Sequence, residues 1–100
     1  MQPFSSSSLT PQIEAEILAL RALGFVADDS DRLGRFIGAT GTSAGDLTRR
    51  AGDARFLGTV LDFLLADEPT LLAFTARVGV RPEAPYDARR RLPSARPAEG

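Results

Sequence analysis

The residues of this chain whose type and spacing could do chemistry are all charged. Asp62, Asp67 and Glu68 form one acidic group, and paired carboxylates can hold a divalent cation or work as acid and base. Their spacing fits helix capping better. Asp67 and Glu68 stand where a helix N-terminus favours acids, and Asp62 needs only solvent or an arginine partner. Asp28, Asp29 and Asp31 receive the same reading, because they lack the glycine and terminal glutamate of a calcium loop. The remaining candidates are cations. Arg49 and Arg50, with Arg89, Arg90 and Arg91, could contact nucleic acid or an acidic partner.

Composition removes most other chemistry. The chain has no His and no Cys, and all 12 of its basic residues are arginine. Imidazole acid–base work, thiol catalysis, disulfides, Cys/His zinc sites, Schiff-base lysines and phosphate-loop lysines are therefore excluded. The expectation is a protein that is not an enzyme, with no catalytic, cofactor-binding or metal-binding residue and no cofactor. Net charge is −1 and the pI about 5.3, which disfavours a free nucleic-acid-binding domain. The arginines gather late: residues 81–100 hold five against three acids, a balance of +2, whereas residues 1–80 balance to −3. The N-terminus has no signal-peptide pattern, and the apolar runs fall far short of the roughly 20 residues of a membrane span. A cytoplasmic protein without a membrane role is expected.

A single helical domain over residues 10–92 must position these groups, between a disordered Ser-rich arm (1–9) and a disordered tail (93–100). Apolar residues recur at three and four positions, not two. Thr10-Pro11 opens a first helix, in which Ile13, Ile17 and Leu20 make one apolar face. Leu18 and Phe25 lie roughly opposite, so this helix should meet neighbours on two sides. Ser30 or Asp29 caps a second, with Leu33, Phe36, Ile37 and Thr40 inward, Arg32 and Arg35 outward, and Gly41 as its stop. Gly34 and Gly38 would let a neighbouring helix come close. Ser43-Ala44-Gly45-Asp46 resembles a capping box for a short third helix, to about Ala51, anchored by Leu47 and closed by Gly52.

The densest stretch, Phe56–Phe74, follows Asp53 as a cap. Phe56, Val60, Phe63 and Leu64 form a stripe that Leu57, Leu61 and Leu65 widen, leaving Arg55, Gly58, Thr59 and Asp62 for solvent. Such a helix belongs at the centre of the bundle. Asp67 and Pro69 then start a fifth helix with Leu71, Phe74 and Val78 inward, Leu72 beside them and Gly79 at its end. Pro85–Leu92 is a candidate sixth, with Tyr86 packing back. The fold expected is all-α: a compact irregular bundle of about five short helices, with that sixth near the C-terminus left open.

Several runs resemble a small, uncharacterised bacterial family of helical proteins classed as a domain of unknown function. They are Glu16 to Phe25, Arg32-Leu33-Gly34-Arg35-Phe36, Thr40-Gly41, Asp46-Leu47 with Ala51-Gly52, and above all Leu61-Asp62-Phe63-Leu64-Leu65-Ala66-Asp67-Glu68. The resemblance implies a compact all-helical domain and supplies no catalytic residues.

Two functional readings follow. The first is a small non-enzymatic interaction module that binds a protein partner or itself, through an apolar patch left by the first helix or by the large hydrophobes of the fifth. The alternative is a nucleic-acid-associated regulator using residues 31–51 as a helix-turn-helix together with Arg89–Arg91. A recognition helix reads bases from its N-terminal part. That part here is Ser43-Ala44-Gly45-Asp46, whose acid repels phosphate, so nucleic acid is the disfavoured partner.

Overall fold

A computed structural model describes residues 10–93. They form six α-helices: α1 (Pro11–Ala27), α2 (Ser30–Thr40), α3 (Leu47–Arg50), α4 (Ala54–Leu65), α5 (Glu68–Val78) and α6 (Ala84–Arg90), with a 3-10 turn over Ala44–Asp46. No strand occurs among the described residues, and the fold is all-α. The expected Ser-rich arm and the tail after Pro93 lie outside the described residues.

Local chemistry sets most of the helix ends. Thr10 Oγ1 accepts from the Ile13 N–H at 3.1 Å, and Pro11 occupies the first turn. Asp29, rather than Ser30, caps α2: its Oδ1 accepts from the N–H groups of Asp31 (2.8 Å) and Arg32 (3.2 Å). Asp53 caps α4 through the Arg55 N–H at 3.0 Å. Gly41 (φ 75°) and Gly79 (φ 76°) end α2 and α5 in the left-handed region that glycine enters without strain. Two expected caps differ. The Ser43 side chain makes no capping bond, and its segment is a 3-10 turn followed by one α turn. Asp67 sits at the cap position of α5 but accepts from the Thr70 hydroxyl instead of a backbone N–H.

The core forms where α1 and α4 meet, closed by α6 and flanked by α2 and α5. From α4 come Phe56, Leu57, Val60, Leu61 and Leu64; from the others come Val26, Phe36, Leu71 and Phe74. Phe36 makes edge-to-face pairs with Phe56 (6.0 Å, 75°) and Phe63 (5.3 Å, 86°), geometries that the ring quadrupole favours. Phe63 itself is only half-buried.

Four expectations about faces are overturned. First, α1 buries Ala15, Ala19, Ala22, Leu23, Phe25 and Val26 and exposes Ile13, Ile17 and Leu20, so it packs on one side only. Second, Arg32 turns inward. Its guanidinium lies 3.8 Å from the Phe25 ring centre and donates at 3.1 and 3.0 Å to the Phe25 carbonyl, which also accepts the Asp28 N–H at 3.3 Å at the end of α1. Third, Gly58 is buried, not solvent-facing, whereas a Cβ at Gly34 or Gly38 would meet nothing within 4 Å. Fourth, Tyr86 is 48% exposed, and α6 packs through Pro85 and Ala88 instead.

Since Gly34 and Gly38 serve no close contact, replacing either with Ala should raise the unfolding free energy by about 0.4–1 kcal/mol, measured by urea denaturation. The cap of α2 makes a separate prediction. Backbone N–H donors from Arg32 and then Asp31 hold the Asp29 carboxyl below the ordinary value of 3.8. A depressed folded-state value means that its stabilisation is present above 3.8 and fades as pH falls further. Stability curves of the wild type and D29A, followed from about pH 7 to about pH 2, should therefore converge at the acid end.

Candidate interaction surface on the first helix

Each of the sequence-predicted arginines has a partner within the chain. Arg89 is the most enclosed of them. Its Nε donates to Asp62 Oδ1 at 2.7 Å, Nη2 to Oδ2 at 3.3 Å and Nη1 to the Leu92 carbonyl at 3.1 Å. The guanidinium lies across α4 at Gly58, where an added Cβ would come within 3.1 Å of Nη1 and 3.0 Å of the Pro93 carbonyl. Glycine at this position lets α6 and the chain after it close on α4. Arg90 pairs with the Asp87 carboxylate, and Arg91 donates to the Asp87 carbonyl at 3.1 Å. Arg49 pairs with Asp46, while Arg50 stacks 4.9 Å from the Phe56 ring and reaches Thr42 Oγ1 at 3.3 Å. The 3-10 turn and single α turn over residues 44–50 also provide no recognition helix of ordinary length.

Several of the acidic candidates are similarly occupied. Asp62 has Arg89; Asp67 has the Thr70 hydroxyl and stands 3.8 Å from Arg35; Asp28 holds Arg77 at 2.9 Å. No group of three or more potential ligands is arranged to hold a metal ion among the described residues. Nor does any buried side-chain polar atom there lack a partner. No described helix is long and apolar enough to cross a membrane.

What stands unused is the outer side of α1. Ile13, Ile17 and Leu20 are exposed by 40%, 40% and 44%, whereas Ala19 and Ala22 on the same helix are fully buried. Three open depressions follow its length. The first, about 430 Å³, lies between α1 and α6 and includes Glu14, Leu18 and Arg91. The second, about 370 Å³, is lined among the described residues by Glu14, Ile17, Leu18 and Arg21. The third, about 270 Å³, runs from Arg21 past Gly24 and Phe25 to Arg77. Shared walls at Glu14, Leu18 and Arg21 join them into one band. Its residues suit contact rather than reaction: aliphatic side chains flanked by single charges. Glu14 and Arg21 were not singled out from the sequence as site residues, although both flank the Ile13–Ile17–Leu20 stripe at a spacing readable there.

The arginines can be told apart by experiment. Arg89→Ala should lower the unfolding free energy by about 1–2 kcal/mol, since it removes hydrogen bonds to a carboxylate and a carbonyl. Arg90→Ala and Arg91→Ala should stay within about 0.5 kcal/mol of wild type in the same urea titration.

Residues 12–95 match a family described as Protein of unknown function (DUF3572). No curated protein and no solved structure matches the chain.

Proposed function

The chain belongs to the DUF3572 family, whose function is unknown, and on the surface of α1 we propose that it acts as a small, non-enzymatic helical interaction module. The outer face of α1 receives a helix from a protein partner or from a second copy. The observation that supports this reading is the orientation of α1, with alanines inward and Ile13, Ile17 and Leu20 outward. Spacing at i, i+4 and i+7 is the spacing by which one helix docks along another.

Magnitudes bound the strength of such a complex. Covering the exposed remainder of each of these side chains returns on the order of 1 kcal/mol. Three of them are small against the cost of association, so contacts through this face alone are weak and reversible. The nucleic-acid alternative is the poorer reading, because Arg49, Arg50, Arg89, Arg90 and Arg91 all have partners within the chain.

A photo-crosslinking amino acid at position 17 tests the proposal in cells, with position 39, an exposed alanine on α2, as the control. A discrete protein adduct should form from position 17 and not from position 39. Absence of any adduct at position 17 would sink the reading.

A further inference from the structure

Resting on the reading of α1 as an interaction face, we infer that its occupant is a second copy of this chain. The two α1 helices run antiparallel about a two-fold axis near Ile17. Neither the Glu14 carboxylate nor the Arg21 guanidinium makes a hydrogen bond or ion pair among the described residues, and of the other described arginines only Arg55 shares that state. Glu14 and Arg21 lie seven residues apart, about 10 Å along the helix axis, on the same flank of the Ile13–Ile17–Leu20 stripe.

In heptad terms Ile13, Ile17, Leu20 and Gly24 occupy successive seam positions, and Glu14 and Arg21 both follow a seam residue on one side. When two such helices pair antiparallel, equivalent flanks meet. Glu14 of one copy then faces Arg21 of the other, and symmetry makes the contact twice. Ile17 meets its own counterpart, and Ile13 falls beside the second copy's Leu20. Glu16, on the opposite flank, is already held by Gln12 Nε2 at 3.0 Å.

Shape agrees with charge. The depression lined by Glu14, Ile17, Leu18 and Arg21 lies along the flank of the seam that carries the two charges, where the matching flank of the second copy would rest. Among the described residues it is lined by α1 alone, and no other described element fills it. A two-turn seam of this size lies at the small end of specific interfaces, which makes a concentration-dependent monomer–dimer equilibrium the expected state.

The test is sedimentation equilibrium of the full chain from ~1 µM to ~1 mM, on wild type, E14R, R21E and the E14R/R21E double variant. Both positions are exposed, and circular dichroism confirms that each variant is folded. The wild type should dimerise. Each single reversal should raise the dissociation constant roughly tenfold, because it sets like charges opposite each other twice. The double variant should return to wild-type affinity, and an equimolar mixture of the two singles should form a heterodimer. A wild type that stays monomeric to ~1 mM overturns the inference. So do single variants that dimerise unchanged, or a double variant no tighter than the singles. If the wild type is monomeric while position 17 crosslinks to a different protein, the second copy is rejected and the interaction module stands. Absence of any adduct rejects both.

Discussion

The close approach of α1 to α4 and α6 is the constraint on which the rest of the structure depends. Ala15, Ala19, Ala22 and Val26 form a stripe of small side chains along α1, and against it stand the large residues of α4. Large against small fills an interior without voids or strain. Had α1 turned its isoleucines inward, their extra volume would have forced α4 and α6 away and opened the core around Leu61 and Leu64. The alanine stripe and the Ile13–Ile17–Leu20 stripe have the same i, i+4, i+7 spacing and are offset by two residues, roughly 200° around the helix. A helix lying on one side of a bundle can bury only one of them. The exposure of the second is therefore a direct consequence of the packing of the first.

The arginines act in this architecture mainly as staples. Arg32 lies on the Phe25 ring and closes the end of α1. Arg77 joins Asp28 and stands 5.5 Å from the same ring, linking α1 to α5. Arg89 fastens α6 to α4 through Asp62. A planar guanidinium suits each task, because it can stack on an aromatic face while donating in its own plane, which an ammonium cannot do. In a domain with no lysine, this use absorbs most of the positive charge that would otherwise suggest an anionic partner. Two of the charges without a partner among the described residues, Glu14 and Arg21, flank the exposed apolar face of α1.

Much of the fold was legible in the sequence because it is written in short-range chemistry. Thr10 with Pro11, Asp29, Asp53, Gly41 and Gly79 mark helix ends through bonds and dihedrals that involve only a few neighbouring residues. The Phe56–Leu65 helix is apolar over most of its surface and belongs at the centre whatever surrounds it. The Ser43 segment was less legible. Its pattern admits a capping box, but with Gly45 inside it and only Leu47 to anchor it, the chain adopts a 3-10 turn and a single α turn.

What the sequence by itself determined is the helical class, the order and most of the ends of the helices, the lack of His, Cys and Lys, and the central place of α4. These depend on local hydrogen bonding and composition, which no partner element can alter. Tertiary structure alone decided which face of α1 is buried, that Gly58 is a point of close approach, that Arg89 faces Asp62, and that Tyr86 points outward. Each of these depends on the volume and charge that a distant segment presents across the core. Hydrophobicity ranks isoleucine above alanine as a residue to bury; the gap between two packed helices accepts the smaller side chain, and the larger ones are left on the surface where a second helix can reach them.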